Sequence, residues 1–158
     1  IGLTFRKADA DKIHDMESFA RFSGKLVPIA PQNAQYAVIE GFNKEHAAAP
    51  VKLVSSEEFN LADAYTWVLE GRYDAYLDIE LSYKNNVEKE SGPYHKFADQ
   101  LSYVRYQAIP TYPLFNKKDT QLAADYDKAL EELKASGRYA ELEQQYFGED
   151  ILQYVKTK

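Results

Sequence analysis

Short apolar runs alternate with longer amphipathic ones along this chain, and that alternation restricts its fold more than any other feature. Gly2-Leu3-Thr4-Phe5-Arg6-Lys7 reads as a strand, and so do Lys25 to Ala30, Val51 to Val54 and Tyr73 to Asp78. Between them, a short helix opens on the capping residue Asp15 and stops at Gly24. A longer helix from Ala34 to Glu45 carries Ala37, Val38, Gly41 and Phe42 at helical spacing. A third, from Leu61 to Glu70, has Asn60 as its cap and Gly71 as its stop. This order predicts an α/β domain with right-handed crossovers and a mostly parallel sheet flanked by helices. Pro28 has no amide to donate, so the second strand is expected at an edge or locally broken.

Beyond Asp78 the pattern predicts a helix from Ile79 to Val87, then a polar loop with one helical turn from Glu88 to Gln100. Val104 to Ile109 and Tyr112 to Phe115 read as extended. Asp119 and Thr120 open a helix that runs to Ser136, with Leu122, Ala123, Tyr126, Ala129, Leu130 and Leu133 on its inner face. Gly137 interrupts it, and Arg138 to Tyr146 forms a second helix ending at Phe147-Gly148.

Composition removes several classes of chemistry. The chain has no cysteine, which rules out thiol catalysis, disulfides and thiolate metal sites. His14, His46 and His95 stand in separate polar segments without ligand spacing, so no metal is expected. There is no Gly-x-Ser-x-Gly elbow, phosphate loop or dinucleotide fingerprint, so no cofactor is expected and no residue is nominated as catalytic. With 25 acids against 19 bases, net charge −6 and no clustered basic face, a nucleic-acid partner is disfavoured. No apolar run approaches the roughly 18 residues that would cross a bilayer. The 13 tyrosines against one tryptophan suit either a wet cleft wall or the edge of a core. The chain opens at Ile1 with no basic-then-apolar leader ahead of its first strand, as a fragment or a processed form would.

In open α/β sheets, ligands bind beyond the C-terminal ends of strands, often on helix N-termini. Two strand ends here carry suitable groups: Ala30-Pro31-Gln32-Asn33-Ala34-Gln35, where a strand hands over to a helix, and Tyr76-Leu77-Asp78. Three longer motifs accompany them. Phe22-Ser23-Gly24-Lys25-Leu26-Val27-Pro28-Ile29 is one. Gly71-Arg72-Tyr73-Asp74-Ala75 leading to Asp78 is another. The third is Ala129-Leu130 with Leu133, Gly137 and Tyr139, followed by Tyr146-Phe147-Gly148. Together these resemble the bacterial extracellular solute-binding proteins of family 3, whose type II periplasmic-binding fold captures polar amino acids. The resemblance covers Gly2 to Gly148.

That resemblance implies a layout of two lobes joined by two crossing segments. Residues 1–23 would be the first crossing segment and its lead into the second lobe. Residues 24–105 would form the second lobe with its ligand-binding half-site, and 106–158 the second crossing segment and the C-terminal helices returning to a first lobe. It further implies a ligand α-carboxylate on the helix start at Gln32, Asn33, Ala34 and Gln35. The family's Gly-Thr/Ser-Thr/Ser pattern is absent there, so backbone donors remain while the hydroxyl is lost. Asn33 either substitutes with its side-chain amide or caps the helix. Asp78 is implied as partner of the ligand's α-ammonium, a role compatible with capping the helix that follows. Ser55 and Ser56, with Glu57 and Glu58, either reach the side-chain end of the ligand or are simply solvated. The guanidinium clamp of the family falls in the other lobe, so no arginine here is given that role.

The implied protein is the substrate-binding component of an ABC importer, partnered by a membrane permease. It would be extracellular, as a periplasmic protein or an anchored lipoprotein, and not an enzyme. Alternatives on the same scaffold are a receptor's sensory domain or a dehydratase-like enzyme. The apolar faces of the C-terminal helices also make self-association of the chain an expectation.

Overall fold

A computed structural model describes residues 1–56 and 61–154. The chain divides into two compact units, Ile1–Gln107 and Ala108–Lys158.

The first unit is built on three strands: β1 (Gly2–Arg6), β2 (Ala75–Asp78) and β3 (Leu101–Arg105). β1 lies in the middle and runs antiparallel to both neighbours, with Gly2 facing Asp78 on one side and Arg105 on the other. A mostly parallel sheet was expected, and this antiparallel one corrects it. Among the described residues, parallel pairing is confined to two isolated bridges, Leu26 with Ala75 and Ile29 with Ser55. Val27 donates to Ala75 at 2.9 Å and Ile29 to Val54 at 3.0 Å, but Pro28 between them has no donor, so no continuous ladder forms. Val51 to Val54 accordingly stays extended without becoming a ladder strand.

Strand alternation sends successive side chains to opposite faces, and each face is covered by helices. Leu3, Phe5 and Leu77 join Phe19 of α1 (Met16–Arg21) and Ile39 and Phe42 of α2 (Ala34–Glu45) in one core. Tyr76 and Leu101 join Ala64, Tyr65 and Val68 of α3 (Leu61–Leu69) and Tyr83 of α4 (Glu80–Tyr83) in the other. The tyrosines concentrate in this second core. Tyr65 meets Tyr76 edge-on at 5.8 Å, and Tyr83 stacks on Tyr103 at 5.2 Å. α4 is shorter than the helix expected over Ile79 to Val87, because a wider π turn takes over at Lys84–Glu88.

At the far end of β1, Arg6 donates to the carbonyls of Val68 and Tyr73 and pairs with Asp9 and Asp74. Asp74 also accepts the Lys25 amide at 2.8 Å, so it is a strand-entrance brace. α1 begins as expected at Asp15, whose carboxylate accepts the Ser18 amide at 2.6 Å while the Ser18 hydroxyl oxygen accepts the Asp15 amide at 3.0 Å. It stops one residue before the expected place, at left-handed Ser23 (φ 57°). Asp15→Ala is expected to destabilise the unit by about 1 kcal/mol in urea unfolding, the usual loss for an N-cap. The Ser18 amide bond holds the Asp15 carboxyl below its ordinary range. The capping contribution is therefore present above that range and lost as pH falls through the lowered value.

The second unit holds α5 (Thr120–Ala135) and α6 (Arg138–Phe147), divided at left-handed Gly137 (φ 78°). Val104 to Ile109 and Tyr112 to Phe115 were expected to be extended segments. Val104 and Arg105 belong to β3, which ends there, and residues 106–115 join no ladder. Pro110 and Pro113 deny that stretch two donors. α5 is amphipathic as predicted, yet none of its residues is buried, and Leu122 is 57 % exposed.

Candidate ligand-binding edge

The two parallel bridges align three chain segments. Leu26 opposite Ala75 puts Ile29 level with Asp78, and Ile29 is itself opposite Ser55. Ala30, Ser55 and Asp78 therefore end on one edge of the unit, and Gly2 and Arg105 lie on it as well. The strand ends picked out in the sequence thus fall on one edge although they come from three separate stretches.

α2 starts at this edge. Ala30 accepts the Asn33 amide at 3.0 Å, closing the turn that leads into the helix. Asn33 is the N-cap in an extended conformation, and its side chain makes no capping bond. Of the two roles open to Asn33, capping is thus not used. Helix geometry leaves the first amides, those of Ala34 and Gln35, without intrahelical acceptors and pointing outward. Gln32, Asn33 and Ala34 are exposed and Gln35 is half-buried. Ser55 is exposed and Ser56 half-buried, with the Ser56 amide 3.4 Å from the Ile29 carbonyl. Glu57, Glu58 and the expected cap Asn60 lie outside the described residues.

Asp78 has no solvent exposure. Alternation turns it to the α3 face, where its Oδ2 accepts from the Tyr65 hydroxyl at 2.6 Å and the Thr4 hydroxyl at 3.2 Å. Its Oδ1 accepts the Ile79 amide at 2.7 Å. Burial raises the Asp78 carboxyl above its ordinary range, and these hydrogen bonds, with one from Ser82, only partly offset that. Burial and the neighbouring Asp78 charge both push the Tyr65 phenol up, so it stays a donor at any physiological pH. The same two causes raise Tyr76. Ile79, the next residue, faces the other way and is 51 % exposed.

Glu80 follows at the start of α4. Its carboxylate binds Arg105 bidentately at 2.6 and 2.7 Å and meets Lys84 at 3.1 Å. Partial burial tends to raise it, but bonds and charge from Arg105 and Lys84 prevail and hold it below the ordinary range. Sequence reading did not anticipate this cluster, nor Tyr65 and Thr4 as partners of Asp78. A phenol on the inner face of a helix needs an acceptor, a signal that covers Tyr65 but not Thr4. Among the described residues no group of three or more acids or histidines is placed to hold a metal. No described helix is long and apolar enough to cross a membrane.

Comparison with known proteins bears on the fold and the family. The profile of the bacterial extracellular solute-binding proteins, family 3, matches residues 6–149. No curated protein matches the chain. One similar solved structure comes from work on glutathione import in Gram-positive bacteria via GshT and the cystine ABC importer TcyBC of Streptococcus mutans. It is 23 % identical with TM-score 0.64, over 99 % of this chain and 61 % of that one. A substrate-binding protein of an ABC uptake transporter from Streptococcus pneumoniae, solved with bound histidine, is 18 % identical with TM-score 0.61, over 95 % and 58 %. An ancestral arginine-binding protein bound to glutamine is 23 % identical with TM-score 0.58, over 94 % and 59 %. These likenesses show a shared type II periplasmic-binding fold, and the chain spans about three-fifths of the length of each. With a match across nearly its whole length, the chain belongs to the bacterial extracellular solute-binding proteins, family 3.

Proposed function

We propose that this chain is the second lobe and C-terminal return segment of the substrate-binding component of an ABC importer, and that it captures an amino acid or close derivative. The observation that carries this reading is the shared edge set by the bridges Leu26–Ala75 and Ile29–Ser55, which aligns the start of α2 with the end of β2. In this reading the amides of Ala34 and Gln35 receive the ligand's carboxylate, helped by the helix dipole and by the side chain of Asn33, which no cap engages. Gln32, Ser55 and Ser56 flank the ligand. The acidic end of β2, with Asp78 at its base, offers negative charge to the ammonium. Residues 1–23 and those from 106 onward act as crossing segments, and the C-terminal helices complete a first lobe. The partner is a membrane permease, and the protein works outside the cytoplasmic membrane, in a periplasm or on a lipid anchor.

No catalytic role is proposed. Acid–base work needs a group free to exchange protons, whereas Asp78 is enclosed and Glu80 is held charged by Arg105. A half-site provides only part of the ligand's contacts. Calorimetry is expected to show binding of free amino acids by this chain no tighter than the millimolar range, and micromolar binding by the whole protein. Micromolar binding by the chain alone would overturn the half-site. A whole protein that binds no amino acid or amino-acid derivative would overturn the function.

A further inference from the structure

Asp78 stands at the strand end proposed above for the ligand's ammonium, yet its carboxylate is turned inward and satisfied from within the chain. Its inner anchors are the hydroxyls of Tyr65 and Thr4, which both donate to Oδ2, at 2.6 and 3.2 Å. Asp78 and both of these anchors are without solvent exposure. A third donor, the Ile79 amide at 2.7 Å, lies at the edge itself, on an exposed residue. An ammonium therefore reaches Oδ2 only when the carboxylate leaves its inner anchors.

Of those two anchors Tyr65 is the stronger. A phenol is a better donor than an alkyl hydroxyl, and its bond is the shorter, with the length of a charge-assisted contact. The Tyr65 ring is wedged edge-on against Tyr76 at 5.8 Å and tilted on Tyr94 at 4.8 Å, so its hydroxyl cannot follow a departing carboxylate. What remains within its reach is the Ser82 hydroxyl, at a long 3.5 Å. Leaving a buried donor poorly bonded is costly, so the balance between an inward and an outward Asp78 is set chiefly at Tyr65. A protein that must leave one arrangement before it binds has its apparent affinity lowered by the fraction that is competent.

Resting on the functional reading above, we propose that Tyr65 is a latch on the ligand site: its hydroxyl holds the Asp78 carboxylate inward, and the ligand's ammonium replaces that hydroxyl as the carboxylate turns to the edge. The exchange favours ligands that bring an α-ammonium, since a ligand without one gives the carboxylate no reason to leave the phenol. Tyr65 touches no ligand itself and is a positioning residue that acts through Asp78.

NMR titration of the 158-residue chain tests this, in mildly alkaline buffer so that protonation of Asp78 does not compete. The probes are L-glutamine, L-histidine and L-arginine at millimolar concentration, each against its α-deaminated analogue, with amides and tyrosine Cζ atoms observed. At least one amino acid is expected to shift the Asn33–Gln35 amides. That amino acid is also expected to shift the Tyr65 Cζ of the wild type, as the phenol loses its carboxylate, while its analogue leaves this signal in place. Tyr65→Phe keeps the ring and removes the hydroxyl, and is expected to tighten amino-acid binding about threefold or more without changing that of the analogue. Tyr94→Phe, whose hydroxyl meets Thr66 at 3.3 Å, is expected to leave both unchanged. A Tyr65 Cζ that stays still at saturation overturns the latch, whether or not the variant folds. So does a folded Tyr65→Phe that binds the amino acid no tighter, or that tightens the analogue equally. In those cases the response at Asn33–Gln35 keeps the functional reading in place. If no probe shifts the Asn33–Gln35 amides, the functional reading itself falls, and the latch with it.

Discussion

Asp78→Ala is expected to cost the first unit on the order of 3 kcal/mol, the largest loss from any single polar truncation in it. The substitution leaves the buried hydroxyls of Tyr65 and Thr4 without their acceptor, and each orphaned group costs roughly 1–3 kcal/mol. Part of that is returned, because an enclosed carboxylate is itself unfavourable when ionised. Asp78→Asn keeps an acceptor for Tyr65 but can turn an amide donor toward the Ile79 N–H, so an intermediate loss is expected. The wild type also separates from either variant by pH. Burial raises the native pKa of Asp78 above its unfolded value, so the native state holds its proton more tightly. Its contribution to stability is therefore full below the ordinary carboxylate range and declines as pH rises from there through the raised native value. Asp15 and Glu80 are lowered and act in the opposite sense, losing their contributions as pH falls. The quantity to measure is the urea midpoint of the wild type minus that of Asp78→Asn across this range. A difference that does not change with pH would show that Asp78 is not a perturbed acid.

Gly2→Val is expected to be comparably severe for a different reason. A Cβ at Gly2 would sit 2.0 Å from the Val104 carbonyl oxygen and 2.9 Å from the Arg105 Cα. Both atoms are backbone, so no rotamer change relieves the overlap, and β1 and β3 must separate at that end. The pairing of Gly2 with Arg105 is expected to be lost, with a penalty of about 3 kcal/mol or more. Hydrogen exchange reports it directly. The Tyr106 and Gln107 amides, bonded to the Ile1 carbonyl at 2.9 and 3.2 Å, should lose protection while the amides of α2 keep theirs. Unchanged protection at Tyr106 would mean that the strands do not approach as closely as described.

Local signals read well where local chemistry decides. Asp15, Ala34 to Glu45, Gly71 and Gly137 mark helix boundaries through capping oxygens, apolar spacing and left-handed glycines, all of which act within a few residues. Sheet topology depends on which distant segment lies alongside, and nothing in Gly2 to Arg6 says that it will sit between β2 and β3. The parallel order expected from the crossovers survives only at Leu26 and Ile29, where Pro28 thins the bonding. The edge was legible in outline, since strand ends and a helix start are sequence features. The direction of the Asp78 side chain was not, because a strand reverses the face of each successive residue and the sequence does not say which face is enclosed. Tyr65 lies 13 positions from Asp78 and Arg105 lies 25 from Glu80, so these partnerships emerge only from packing.

The first unit also has its two ends fastened together. The Ile1 amino group bonds the Gln107 carbonyl at 2.6 Å, while the Tyr106 and Gln107 amides return to the Ile1 carbonyl. A module whose start and finish coincide can be spliced into a surface loop of an unrelated host without prising the host apart, since closing so short a gap adds little entropy cost. Residues 1–107 should therefore transplant as a cassette, and a host that keeps its own melting temperature after the insertion would be the sign of it.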